Sequence, residues 1–153
     1  AAAATPTGAA PALTPVAAEL SDDLRSFKTA PAPVQILDEQ GRPLAAADED
    51  RRFFEGSWVH FYNGLYYLSY STGTTHKIVY ATSESPLGPY TYRGEILGPV
   101  SGWTTQHSIV EYAGRWYLFY HDCELSGGVD SQRNVKYTEL FYNEDGTIRP
   151  IVR

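Results

Sequence analysis

A carboxylic acid set among aromatic rings is the first group in this sequence equipped for chemistry. Glu55 stands in RRFFEGSW, beside Phe53, Phe54 and Trp58, where a polar segment gives way to an apolar one. A carboxylate loses hydration in such a place, and desolvation raises its pKa. A carboxyl still protonated near neutral pH is what a general acid requires. The plainer alternative is an ion pair with Arg51 or Arg52, or hydrogen bonds from backbone amides. A second group of candidates lies in GWTTQHS, residues 102–108. Trp103 is either a stacking platform for a sugar ring or a rim aromatic. Two threonines, Gln106 and Ser108 bring hydrogen-bonding groups beside it. His107 has three readings: ligand to a metal or its water, hydrogen-bond partner of a substrate, or a satisfied interior histidine.

Other chemistries find no support. No His pair falls in a zinc-ligand pattern with Cys or Glu. There is no phosphate-binding glycine loop and no G-x-S-x-G elbow. The only cysteine, Cys123, follows His121-Asp122; it reads as a small buried residue at a strand end, and no intrachain disulfide can form. His121-Asp122 itself reads as a turn network, and His60 and His76 as surface residues. ELSGGVDS reads as a mobile loop. Net charge is -6 with no basic stripe, which argues against a nucleic-acid partner. No run of 18 apolar residues exists to span a membrane.

These groups need a scaffold, and the sequence describes one. At 153 residues the chain is long enough for one cored domain. Residues 1–18 hold nine Ala and three Pro, which reads as a disordered arm or linker. AELSDDLRSFKTAP suggests one helical turn capped by Ser21 or Asp22, and VQILDEQGRPLAA a short hairpin. From residue 53 every apolar run is short and rich in Tyr, Val, Ile and Trp: GLYYLSYS, KIVYATS, YTYRGEIL, HSIVEYAG, RWYLFYH, NVKYTELFY. Asn63-Gly64, Pro86-Leu87-Gly88-Pro89, Ala113-Gly114 and Asp145-Gly146 separate them. The expected class is all-β.

An internal repeat refines this. Gly64, Tyr67, Leu68 and Tyr70 recur as Gly114, Tyr117, Leu118 and Tyr120, offset by 50. Before the turn the match is Ser57 to Ser108 and Val59 to Val110, offset by 51, so the second turn reads as one residue shorter. A period near 50 with about four strands per unit is a β-propeller blade; a sandwich with similar hairpins is the alternative. Closed propellers use roughly four to eight blades, and residues 50–150 hold about two. The absence of Met points the same way, to a processed chain or a piece of a longer one. In a propeller the innermost strand of each blade lines the axis, and its first residues face the mouth. Those are Glu55-Gly56-Ser57 and Gln106-His107-Ser108.

The segment RRFFEGSWVHFYNGLYYLSYSTGTTHKIVYATSESPLGPYTYRGEIL resembles glycoside hydrolase family 43, as do GWTTQHSIVEYAGRWYLFYHD and VKYTELFYNEDGTI. The resemblance covers residues 19–150, and its motifs occur in order. It implies two to three blades of a five-bladed propeller over 19–153, with residues 1–18 as an arm. It implies an inverting exo-β-1,4-xylosidase or α-L-arabinofuranosidase acting on hemicellulose oligosaccharides. Glu55 would be the general acid. Phe54, Ser57, Trp103, Thr105, Gln106 and Arg133 would contact xylo- or arabino-oligosaccharide. His107 would help hold a central metal ion, calcium, or its waters. The family's two aspartates lie on blades that would precede residue 19, so the general base is expected from missing N-terminal blades, and this chain by itself should have little activity. A non-catalytic carbohydrate-binding propeller and one half of a split enzyme are the alternatives. The Ala/Pro arm tips the expected location toward secreted or periplasmic rather than cytoplasmic.

Overall fold

The computed structural model describes residues 6–103 and 105–153; the first five residues of the arm and Thr104 of GWTTQHS lie outside the described residues. Three two-residue strands come first: β1 (Val16–Ala17), β2 (Ala32–Pro33) and β3 (Ile36–Leu37). The repeat then supplies two antiparallel meanders. β4 (Glu55–Tyr62), β5 (Leu65–Ser71), β6 (Ile78–Ser83) and β7 (Tyr90–Leu97) form one, with β3 added in parallel at the β7 edge. β8 (His107–Tyr112), β9 (Arg115–Asp122) and β10 (Asn134–Leu140) form the other. One 3-10 turn, Glu124–Ser126, is the only helical element among the described residues.

The two sheets are consecutive blades of a β-propeller. Their leading edge strands, β4 and β8, lie against each other, and Trp58 Nε1 donates to the Ile109 carbonyl across the gap at 2.9 Å. Alternation sorts the side chains. Tyr67, Ile78, Tyr80 and Ile96 of the first blade meet Ile109, Leu118 and Leu140 of the second, and Ile148 closes the layer. On the opposite face of the first blade, Val34, Ile36 and Leu44 cover Leu68, Tyr70, Val79 and Tyr90.

Three sequence expectations need correction. Residues 6–18 are not a disordered arm. Ala12 donates to the Leu44 carbonyl, Ala46 to Ala10 and Ala47 to Gly8, and β1 pairs with β2. Proline suits this edge because only its carbonyl is asked to pair: Val34 N–H donates to the Pro15 oxygen at 2.8 Å. The SDDLRS segment is not a helical turn. A Leu20–Phe27 bridge closes it into a loop, and Ser21 Oγ spends its hydrogen bonds inside that loop on Asp23 and Ser26.

The third correction concerns the repeat. Both hairpin turns have two residues, with Tyr62 opposite Leu65 and Tyr112 opposite Arg115. Both carry positive φ at each turn residue, 46° and 83° at Asn63-Gly64, 52° and 76° at Ala113-Gly114, as a type I′ turn demands. The extra residue lies in β4 as a bulge. Glu55 faces Ser71 and Trp58 faces Ser69, three steps against two. The structural counterpart of Ser57 is therefore His107 rather than Ser108. The VQILDEQGRPLAA hairpin forms as expected, with Asp38 N–H donating to the Arg42 carbonyl and Asp38 also paired to Arg42 through side chains.

Candidate functional site

The bulge creates the site. Gly56 sits at φ 71° and lets the strand kink, so that Glu55, half-buried, begins β4 at the mouth between the two blades. A Cβ at position 56 would come within 2.9 Å of Gln106 Oε1, so the glycine also lets the Gln106 side chain lie against the bulge. Gln106 heads the equivalent strand of the next blade, as the repeat required.

The Gln106 backbone N–H donates to His121 Nε2 at 2.9 Å. An N–H can only donate, so this nitrogen carries its lone pair and the ring proton sits on Nδ1. Arg133 Nη1 approaches the same nitrogen at 3.4 Å. Burial pulls the His121 pKa down and the Arg133 guanidinium pulls it further, while the charges of Asp122 and Glu55 oppose them. Glu55, Gln106, His121 and Arg133 thus form one group, with an acid and a cation both acting on a neutral imidazole. Thr105 lies beneath it, 1% exposed, its hydroxyl bonded to the His121 carbonyl at 2.7 Å and accepting the His121 N–H at 3.0 Å. Thr105 fixes the floor and is buried away from the mouth.

The aromatic candidates rim this group. Phe54 is 43% exposed and Trp103 53% exposed. The Phe54 ring covers Gly73, where a Cβ would stand 3.0 Å away. His76 is not a free surface residue. Held at φ 51°, it places its ring edge-on to Trp103 with centroids 4.5 Å apart. Ser57 is exposed on the bulge.

His107 lies one step deeper. Its Nε2 shares a 2.6 Å hydrogen bond with Ser69 Oγ on β5, and its Nδ1 is buried without a partner. Burial, with help from His60, holds its pKa at about 4, so the ring is neutral. One orphaned nitrogen fits a ligand to a metal or a water. It does not make a calcium site, which takes six to eight oxygens; among the described residues no cluster of three His, Cys, Asp or Glu exists to hold an ion. His60 is also interior rather than on the surface. It is 9% exposed, bonded to Tyr142 Oη at 2.7 Å, and burial lowers its pKa to about 4.

The loop ELSGGVDS is tied down rather than mobile. Ser126 Oγ bonds the Cys123 carbonyl at 3.0 Å, Gly128 N–H bonds the same carbonyl at 2.8 Å, and Gly127 caps the 3-10 turn at φ 71°. Behind it Asp122, fully buried, pairs with Lys136 at 2.6 Å and anchors the end of β9 that carries His121. Cys123 is buried and free, and its Sγ lies 3.9 Å from Asp130 Oδ1. Sequence reasoning missed His121 and Asp130 as site residues. The signal for His121 was its place at the end of a strand beside the Gln106 strand start.

The two blades thus gather a carboxylic acid, a basic side chain and aromatic faces near the start of their inner strands. The comparisons with known proteins give the class. The model of glycosyl hydrolases family 43 matches residues 14–148, and the chain belongs to that family. It is 59% identical over 140 residues to xylosidase/arabinosidase 43A of Humicola insolens, spanning 91% of this chain and 43% of that protein. The structure of RS223 β-xylosidase superposes with a TM-score of 0.96 at 56% identity, over 98% of this chain and 46% of that one. A β-xylosidase/α-arabinofuranosidase from a compost metagenome, described as a complex with xylotriose in a calcium-free form, gives a TM-score of 0.91 at 60% identity, over 93% of this chain and 43% of that one. The chain therefore spans less than half the length of the relatives it matches.

Proposed function

We propose that this chain is the general-acid portion of a pentose-releasing glycosidase, with Glu55 as the acid. The observation that carries the reading is the bulge-mounted Glu55, half-buried at the mouth beside Gln106, His121 and Arg133. In this reading the glycosidic oxygen meets Glu55, which protonates the departing sugar. Arg133 donates to ring hydroxyls from a position fixed by its own contacts. Trp103 and Phe54 offer faces to the sugar, and Gln106 and Ser57 offer hydrogen bonds. The relatives' names support xylo- or arabino-oligosaccharides as substrates.

An inverting reaction needs a second carboxylate, roughly 6.5–9.5 Å from the first, to activate water. Two of the N-terminal acids are poor candidates. Asp23 is committed to Ser21 Oγ at 2.6 Å and to the Arg25 N–H, and Asp38 to the Arg42 side chain and the turn amides. The base would come from blades outside these residues. If a calcium ion sits on the axis, His107 Nδ1 is the atom of this chain placed to hold it or its water; the oxygen ligands would also come from outside. The binding-module reading gives the half-buried Glu55 no role.

The test is pentose release from xylobiose and from an arabino-oligosaccharide, by this chain and by Glu55→Gln. Natural substrates matter because a nitrophenyl group leaves with little acid assistance. The expected result is no release by either. Release that Glu55→Gln abolishes would move the base to Asp22, Asp23 or Asp38, or to a self-assembled copy.

A further inference from the structure

We propose that Asp130 is a positioning residue for sugar binding, because it ties Trp103 and Arg133 to one point. Its carboxylate Oδ1 accepts the Trp103 backbone N–H at 2.9 Å. Its backbone carbonyl accepts Arg133 Nε at 2.9 Å. The aromatic face and the cation approach the mouth from different segments, residues 101–103 and the residue just before β10, and no other residue holds both among the described contacts. The inference rests on the reading of the mouth as a sugar site.

The surroundings are built to keep this link in register. Gly102 sits at φ 115°, and a Cβ there would lie 2.9 Å from Cys123 Sγ and 3.2 Å from Asp130 Oδ1. The chain before Trp103 is therefore pressed onto the loop at a contact that only glycine allows. Ser101 accepts the Cys123 N–H at 2.9 Å on the same side. The His76 ring then limits Trp103 from the first blade. A backbone N–H donated to a carboxylate is a stronger tether than a neutral pair, and it sets the main chain of Trp103 while leaving the indole face open. Asp130 does not touch substrate in this arrangement. It fixes the distance between a stacking surface and a hydroxyl-binding cation, and that distance selects the ring that fits.

Three tryptophans are present, so the emission of Trp103 is read as the difference from Trp103→Phe. Acrylamide quenching of that component and xylotriose binding are measured for the chain, for Asp130→Ala and for Asp130→Asn. Asparagine keeps an Oδ1 acceptor, so it should restore most of what alanine loses. The expected result is increased quenching of Trp103 and an approximately tenfold higher Kd for xylotriose in Asp130→Ala, the size of one lost charge-assisted hydrogen bond, with Asp130→Asn near the parent. Unchanged Trp103 quenching in Asp130→Ala would overturn the proposal, whatever happened to the unfolding midpoint. If the parent chain binds no xylotriose, the sugar reading fails, and the quenching comparison alone still decides whether Asp130 sets Trp103.

Discussion

At the scale of single residues, the group around Glu55 is drawn from distant parts of the chain. Its neighbours His121 and Arg133 lie 66 and 78 positions away, and only folding brings them to it. His60 was misread although the pattern was there: Trp58, His60 and Tyr62 alternate along β4 and share the interior face. Its burial has a consequence for stability. The folded pKa of about 4 lies below the ordinary 6.5, so as pH falls the unfolded chain takes up a proton that the folded chain refuses. Stability is complete above pH 6.5 and declines from there down to about 4, by up to about 3 kcal/mol from this residue. Urea unfolding at pH 7 and pH 5 should show a loss of about 2 kcal/mol from His60 alone. His60→Phe should reduce the total slope and leave a remainder, because His107 and His121 titrate in the same sense. An unaltered slope would remove His60 from the account.

At the scale of elements, strand positions followed from turn residues and β-branched runs, whereas register did not. Val59 faces Leu68 as Ile109 faces Leu118, so the offset stays at 50 from Trp58 to the turn and the Val59–Val110 match is a coincidence of residue type; the bulge adds its residue only before Trp58. The bulge makes a sharp prediction. Gly56→Ala forces a side chain into the left-handed region, at about 1–2 kcal/mol, and against Gln106 as well. Gly64→Ala carries the same conformational strain with open space around it. Both should lower the unfolding midpoint, but only Gly56→Ala should also disturb the mouth, read as a change in Trp103 emission. The second hairpin offers the reverse test. Ala113 holds φ 52° where the first repeat uses Asn63. Ala113→Asn should stabilise the chain by about 0.5–1 kcal/mol, since asparagine tolerates that conformation; a lower midpoint would contradict the turn assignment. The N-terminal arm escaped the sequence for a related reason. Alanine and proline show no periodicity, and their pairing depends on edges that other segments provide.

At the scale of the whole molecule, the far face of the second blade is apolar and uncovered. Tyr112, Tyr137 and Phe119 are 75%, 69% and 37% exposed there, and with Val110 and Tyr117 they line one concave patch. In a propeller each blade face packs on the next, so a face of this kind is one that a neighbouring blade would cover. Without that blade the patch should drive self-association. Light scattering should give a mass above 17.0 kDa that falls toward it in a Tyr112→Lys, Tyr137→Lys variant; a clean monomer from the unmodified chain would count against the assignment. The most direct test of the central claim restores the other blades. Residues 14–148 take the place of the matching segment in RS223 β-xylosidase, and xylobiose hydrolysis is measured with Glu55 and with Glu55→Gln. The account predicts an active chimera that Glu55→Gln slows by roughly 100-fold or more. Equal rates from the two chimeras would contradict Glu55 as the general acid.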